Sequence, residues 1–156
     1  MANWAEIERA APDLADRVRL RFAAGTNKTI ATLRRDGSPR ISATELEFGT
    51  GDGEHEVTLG MMGGSRKLLD VLRDPRIAVH SPTVEPPADA SQWLGDAKLA
   101  GTVVEIAPPD DDPQPGAAYF RLDITEVVLT YVGTPADHLV IESWHQGRGS
   151  RCRTRT

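Results

Sequence analysis

The sequence predicts a mainly β protein, in which one antiparallel sheet closes into a small barrel with helices at its periphery. Segments of strand length, with apolar residues either alternating or continuous, recur from residue 29 to residue 144. Little helical pattern lies between them, and the 156 residues suffice for one domain. Closure of the sheet is favoured because it removes edges that would otherwise pair with other chains.

Two helices are predicted at the N-terminus, over residues 3–10 and 12–24. Their apolar residues recur at spacings of three, four or seven, as on one face of a helix: Trp4, Ile7, Leu14, Val18 and Phe22. Pro12 divides the two helices, because proline suits a first helical turn and not a helix interior. Gly25 ends the second helix.

After the helices the pattern changes to strands. A hairpin is predicted over residues 29–34 and 40–48, turning at 36–39, and a short helix over residues 65–72. The other predicted strands cover residues 56–62, 76–81, 98–106, 118–131 and 138–144. Residues 82–87 and 108–116 are predicted to be loops. Residues 146–156 have no apolar period and are predicted to be a solvated basic tail containing Arg148, Arg151, Arg153 and Arg155.

Charge and composition exclude several classes of protein. The net charge of -5 argues against a general nucleic-acid binder. No apolar run approaches the roughly 18 residues of a membrane span, and residues 1–10 do not look like a secretory signal, so we expect a cytoplasmic protein. The only cysteine, Cys152, has no partner for a disulfide. The 15 arginines against 3 lysines suggest the codon usage of a GC-rich genome.

The most informative segment is a strand, a glycine pair, Ser65-Arg66-Lys67 and a helix, in that order. Gly63 and Gly64 allow backbone to approach a ligand closely, and Ser65 can cap the helix. Helix amides and two cations together favour a phosphate group. The alternative is that Ser65 only caps the helix and that both cations are solvated.

Other catalytic and metal motifs are absent from the sequence. The glycine patterns G-x-x-x-x-G-K-[ST] and G-x-G-x-x-G do not occur, and neither do GxSxG and HExxH. Glu142 and His145 would point to opposite faces of a strand, so we expect no metal there. His80 and His138 fall in apolar segments and are predicted to be hydrogen-bonded structural residues.

Three blocks of the sequence resemble the FMN-binding split-barrel family, which includes pyridoxamine 5'-phosphate oxidase and the deazaflavin-dependent reductases. These blocks are ATLRRDGSPRISATEL, LGMMGGSRKLLDVLRDPRIAVHS and ESWHQGRGSRCRTRT. The second is similar to the phosphate-binding strand, turn and helix of the family. The resemblance implies an antiparallel split β-barrel that forms a homodimer with cofactors at its interface.

The resemblance also implies a set of site residues. Arg66 and Lys67 match the pair that holds the flavin phosphate, with Ser65 and Gly64 beside them. The residues implied as further cofactor contacts are Met61, Met62, Ser42, Thr44, Trp144 and Arg155. Arg151 matches an arginine that binds substrate. Arg153 departs from the histidine of the oxidase, and Ser42 and Glu47 depart from an arginine and a lysine, which argues against vitamin B6 as substrate.

The function implied is hydride transfer through bound FMN to a small substrate. A flavin cofactor carries that chemistry itself, so no protein acid or base is required. One alternative is a reductase that uses the deazaflavin coenzyme F-420, which the arginine-rich composition and the uncharged Ser42 favour. An alternative of another class is a flavin or haem carrier or sensor without catalysis. Trp93 and Trp144 could stack on a cofactor ring, or only bury apolar area.

Overall fold

A computed structural model describes residues 2–49, 55–111 and 114–156. In these residues nine strands form a single antiparallel sheet, with three α-helices around it. The helices are α1 (Trp4–Ala10), α2 (Pro12–Phe22) and α3 (Arg66–Arg73). The strands are β1 (Lys28–Leu33), β2 (Pro39–Thr44), β3 (Glu47–Phe48), β4 (Val57–Met61), β5 (Arg76–His80), β6 (Asp96–Ile106), β7 (Ala118–Val132), β8 (Leu139–His145) and β9 (Gly149–Arg155). The predicted fold class is confirmed.

The strand order is β2-β1-β5-β6-β7-β4-β3, and β8 pairs with β7 and carries β9. β2 and β4 come from opposite ends of this order and still contact each other, so the sheet curls into a barrel. The 15-residue β7 pairs with three strands, β4 at its start, β6 along its length and β8 at its end. The length of β7 therefore separates β4 from β8.

The two N-terminal helices cover the apolar interior of the barrel. The five apolar residues on which they were predicted are all buried. Trp4 and Phe48 pack edge to face with ring centroids 4.9 Å apart, which joins α1 to β3. Asn3 caps α1 through a reciprocal pair of hydrogen bonds with Glu6. No helix in the described part of the chain is long and apolar enough to cross a membrane.

Two predicted elements are wrong. The strand predicted over residues 40–48 is broken, because Glu45 and Leu46 leave the ladder and the buried Leu46 turns into the core. The basic tail is exposed, as predicted, but it is not irregular: it forms strand β9, which pairs with β8 from Gly149 to Arg155. Backbone hydrogen bonds create this strand, after a tight turn in which Gly147 and Gly149 have positive φ angles. Apolar periodicity could not reveal it, because its side chains are exposed.

Candidate functional site

In the turn between β4 and α3, the backbone of Gly64 borders open space just before the first residue of α3. Gly64 has a φ of 73°, a value that favours glycine. A Cβ on Gly63 would lie 2.6 Å from the carbonyl oxygen of Gly116, so only glycine fits without a shift of backbone. The Oγ of Ser65 accepts a hydrogen bond from the Leu68 amide at 3.4 Å and caps α3, as predicted. The first amides of α3 have no acceptor within the helix.

Arg66 and Lys67 begin α3 and have no carboxylate partner among the residues that the structure describes. Arg66 is exposed and makes no hydrogen bond or ion pair with a described residue. The Lys67 Nζ donates to the carbonyl oxygen of Ala43 at 2.6 Å, and it has no carboxylate partner in the described ranges. Burial of this ammonium lowers the pKa of Lys67. Two cations at a helix N-terminus without a carboxylate favour an anionic ligand.

The contact between Lys67 and Ala43 joins the helix start to β2. Ser42 and Thr44 flank Ala43 and lie on the more enclosed face of β2. The Thr44 hydroxyl donates to the carbonyl oxygen of Glu45 at 3.2 Å. Through Lys67 the fold thus links the start of α3 to the strand that carries the predicted hydroxyl residues.

The two methionines differ in exposure. Met61 ends β4, where it pairs with Ala118, and it is buried in the core. Met62 is exposed at the start of the turn. Of the two, only Met62 presents its side chain to solvent beside the helix start.

The second half of α3 carries a buried carboxylate, Asp70, that the sequence analysis missed. Asp70 accepts hydrogen bonds from Thr32 Oγ1 at 2.8 Å, Arg40 Nε at 2.7 Å and Arg73 at 3.2 Å. The Arg40 hydrogen bond is the main reason that the pKa of Asp70 falls to about 2, and Thr32 and Arg73 add to it. Asp70 therefore ties α3 to β1 and β2. The buried side of α3 was predictable from its period, but these partners came from distant segments.

Trp144, Arg151 and Arg155 lie elsewhere in the same chain. Trp144 pairs with Val127 on β7 and is buried in the core, and the two arginines lie on β9. Met61 pairs with the first residue of β7, nine residues earlier, which is about 30 Å of extended strand. A single chain therefore does not assemble these three residues with the start of α3.

A second ionic cluster, also missed from the sequence, joins α2 to β7 and β8. Both Glu142 oxygens accept hydrogen bonds from Arg17 at 2.7 Å, and Tyr131 donates to Glu142 at 2.7 Å. The Arg17 hydrogen bond lowers the pKa of Glu142, while burial and the hydrogen bond to Glu142 raise the pKa of Tyr131. His145, three residues away, has its Nδ1 3.5 Å from Glu126.

His80, His138 and Trp93 have polar ring atoms inside the fold. His80 Nδ1 lies 2.6 Å from the carbonyl oxygen of Ser81, and His138 Nδ1 lies 2.7 Å from Asp137. Both predicted hydrogen-bonded histidines are thus confirmed. The indole nitrogen of Trp93 is buried without a hydrogen-bond partner among the residues described.

Solved structures share this fold at low sequence identity. PhzG from Burkholderia lata, in complex with tetrahydrophenazine-1-carboxylic acid, is 10% identical with a TM-score of 0.63, and the match covers 97% of this chain and 92% of PhzG. A pyridoxamine 5'-phosphate oxidase-related, FMN-binding protein from Nostoc punctiforme is 11% identical with a TM-score of 0.64, covering 100% and 98%.

A haem-binding protein from Mycobacterium smegmatis is 21% identical with a TM-score of 0.51, and the match covers 93% of this chain and 58% of that one. No family model and no curated protein sequence matches the chain. Identities this low carry over the fold and not the activity. The chain has the fold of the pyridoxamine 5'-phosphate oxidase-related, FMN-binding proteins, which is the split barrel that the family resemblance implies.

Proposed function

We propose that this protein is a flavin-dependent oxidoreductase that binds FMN with its phosphate at the start of α3. The observation that carries the proposal is the pair Arg66 and Lys67, which have no counter-charge in the described chain. The residues present fit a phosphate, because Gly64 has open space where a side chain would be, and the amides of Arg66 and Lys67, which precede the capped Leu68 amide, have no acceptor within the helix.

Bound FMN would supply hydride transfer, and the protein residues would bind and orient it. Arg66 can hold two phosphate oxygens at once, whereas Lys67 adds a point charge. The hydrogen bond from Lys67 to Ala43 fixes its ammonium beside β2, where the Ser42 hydroxyl is available to the sugar or phosphate part of the cofactor. The split barrel shared with an FMN-binding protein supports this choice of ligand.

The proposed active form is a homodimer in which the exposed Arg151 and Arg155 of a second copy, on the strands that include the largely buried Trp144, complete each site. Two observations support it. These residues lie on β8 and β9, away from α3 in their own chain. In addition, the outer face of β1, β2 and β5 carries an apolar patch, which consists of Ile41, 74% accessible, the exposed Ala43 and Ala78, and the half-buried Ala31.

Deazaflavin coenzyme F-420 is the second candidate ligand, and Ser42 favours it. The hydroxyl of Ser42 contributes no charge on the enclosed face of β2, so the cations that one chain places at the start of α3 are Arg66 and Lys67. Titration of the purified protein with FMN and with F-420 shows which coenzyme binds more tightly. An absorption spectrum with a Soret band would instead indicate a haem carrier.

The double substitution Arg66→Ala with Lys67→Ala tests the phosphate site. We expect the Kd for FMN to rise about a hundredfold or more, because two charge-assisted hydrogen bonds are lost. Flavin fluorescence measures this Kd. The control is Arg35→Ala with Arg148→Ala, which removes the same charge from two exposed arginines and should leave the Kd within about threefold. An unchanged Kd in the first variant would remove the site assignment.

The substitution Ile41→Glu tests the proposed dimer. A charge in the middle of the exposed apolar face should produce monomers and weaken FMN binding, because the second copy no longer completes the site. Sedimentation velocity measures the first effect and flavin fluorescence the second. Leu20→Glu, at an exposed leucine on α2, is the matched control and should stay dimeric. A wild-type protein that sediments as a monomer would contradict the dimer.

A further inference from the structure

The outward face of α3 is apolar, although the outward face of a surface helix is usually polar. Leu69 and Leu72 are three positions apart, so they share one side of the helix, and they are 48% and 59% exposed. Met62, in the turn that leads into α3, is 68% exposed. Only four other large apolar side chains are exposed in the described part of the chain. The exposed apolar residues are therefore concentrated at α3.

The buried side of α3 fixes the direction of these two leucines. Leu68, Asp70 and Val71 are buried beneath the helix, so the two exposed leucines point away from the barrel. This face is not the one proposed for the dimer. Arg40 reaches Asp70 under α3, and the next residue of β2, Ile41, points to the opposite side of the sheet. The proposed dimer therefore leaves the outward face of α3 uncovered.

Arginines border this apolar face. Arg73, in the last turn of α3, donates a hydrogen bond to the carbonyl oxygen of Leu33 at 2.6 Å. This contact places the turn between β1 and β2, with Arg34 and Arg35, beside the end of the helix. Both of these arginines are exposed, and neither forms a salt bridge with a described residue. Two unpaired cations thus lie next to the exposed leucines.

The charge around α3 is not balanced locally. Residues 33–40 and 62–76 contain seven cations and three carboxylates, although the whole chain has a net charge of -5. Asp70 and Asp74 are already paired with arginines. Asp36 is the one carboxylate of the three that forms no salt bridge with a described residue. This face therefore attracts an anionic partner, whereas the rest of the molecule repels one.

Ordinary surface composition is the simplest alternative explanation. Single exposed leucines are common on proteins, and Leu20 and Leu94 are examples in this chain. Exposed cations alone only improve solubility. Neither explanation accounts for two neighbouring leucines on one helix face that unpaired arginines border. Apolar side chains that protrude from a helix enter a bilayer surface, whereas a protein partner would have to supply a groove with an acidic border.

We propose that the outward face of α3, with Leu69, Leu72, Arg34 and Arg35, docks on the anionic phospholipid surface of a membrane. The leucines enter the boundary between headgroups and acyl chains, and the arginines bind lipid phosphates. Because α3 has eight residues, the contact is with the membrane surface and does not cross it. The inference goes beyond the proposed function and does not rest on it.

Co-sedimentation of the full chain with lipid vesicles tests this inference. Vesicles of phosphatidylglycerol and phosphatidylcholine in equal parts are compared with vesicles of phosphatidylcholine alone, at about 0.15 M salt. We expect at least tenfold tighter binding to the anionic vesicles. Excess FMN should leave this preference in place, because the docking face does not use Arg66 or Lys67. Absent or equal binding to the two vesicles, or a preference that FMN abolishes, would overturn the inference.

The leucines are tested by Leu69→Ser with Leu72→Ser, which should weaken binding to the anionic vesicles about tenfold because apolar burial is lost. The matched control is Leu20→Ser with Leu94→Ser, at two equally exposed leucines outside α3, and it should stay within about twofold of wild type. Equal effects of the two variants would contradict the docking face. Sedimentation velocity without lipid is measured in parallel, and a changed oligomeric state of the α3 variant would make this face an interface between copies instead.

The arginines are tested by Arg34→Gln with Arg35→Gln. Binding to the anionic vesicles should weaken about twentyfold, since each arginine near an anionic surface contributes about fivefold. Arg9→Gln with Arg148→Gln removes the same charge from exposed positions elsewhere and should have less than a threefold effect. Similar losses in both variants would show a general effect of net charge and overturn the docking face. Lost FMN binding with intact vesicle binding would overturn the proposed function and leave this inference standing.

Discussion

The two ends of α3 both carry cations and use them in opposite ways. At its end, Arg73 together with Arg40 from β2 surrounds the buried carboxylate of Asp70. At its start, Arg66 and Lys67 face no described carboxylate, and Lys67 has lost part of its hydration to burial. One helix thus has a neutralised end, from Asp70 to Arg73, and an uncompensated end at Arg66 and Lys67. Asp70 lies four residues after Arg66, about 6 Å along the helix axis.

This difference separates structural charge from charge that is available to a ligand. A buried carboxylate with three donors fixes the position of the helix, and its removal leaves cations without a partner. An uncompensated pair of cations does little for the fold and is favourable only when an anion arrives. Substitutions at the neutralised end should therefore change the free energy of unfolding, and substitutions at the uncompensated end should change ligand affinity.

The largest effect is expected from Asp70→Asn, which breaks the neutralised end. The amide cannot balance Arg40 and Arg73, so the free energy of unfolding should fall by about 3 kcal/mol. Urea denaturation measures this change. Asp16→Asn, at the exposed pair of Asp16 with Arg19, is the control and should cost about 0.5 kcal/mol or less. FMN affinity of folded Asp70→Asn should stay within about threefold of wild type, and a much larger loss would mean that the two ends are not separate.

The dependence of stability on acid pH tests the contribution of the Asp70 carboxylate directly. The pKa of Asp70 is about 2 in the folded protein against 3.8 for a free aspartate, because Arg40, Thr32 and Arg73 donate to its charged form. Below pH 4 the unfolded chain therefore binds the proton first. The contribution of Asp70, about 2 kcal/mol, is complete above about pH 5 and is lost as the pH falls towards 2.

Denaturation at several pH values compares wild type with Asp70→Asn. The difference in unfolding free energy between them should shrink by about 2 kcal/mol between pH 6 and pH 2. A difference that stays constant over this range would show that the carboxylate charge of Asp70 is not what stabilises the end of α3.

The sequence predicts the start of α3 far better than its end, because the start depends on residues that are neighbours in the chain and the end depends on distant ones. Gly63, Gly64, Ser65 and the two cations are neighbours in the chain, so turn chemistry and helix capping identify them. Asp70 depends on Thr32 and Arg40, which are 38 and 30 residues away. Single-sequence periodicity marks a buried position on a helix and does not reveal which distant donors meet it.

The same limit explains what was missed in the fold. Side-chain periodicity predicted the helices and the interior strands, because their apolar residues face the core. β9 is held by backbone pairing with β8 and has no buried side chain after Gly149, so it leaves no periodic signal. The register also places Trp144 far along β7 from Met61, and only strand pairing could reveal that separation.

The smallest effect on stability is expected from Arg66→Ala with Lys67→Ala, which removes the uncompensated end. The lost hydrogen bond from Lys67 to Ala43 is offset by release of a partly desolvated charge, so the unfolding free energy should change by less than about 1 kcal/mol. FMN at about a hundred times its Kd should stabilise wild type by about 2.7 kcal/mol and the double variant far less. Thermal denaturation with and without FMN measures both values. A double variant that loses several kcal/mol without ligand would make these cations structural, and the contrast between the two ends of α3 would disappear.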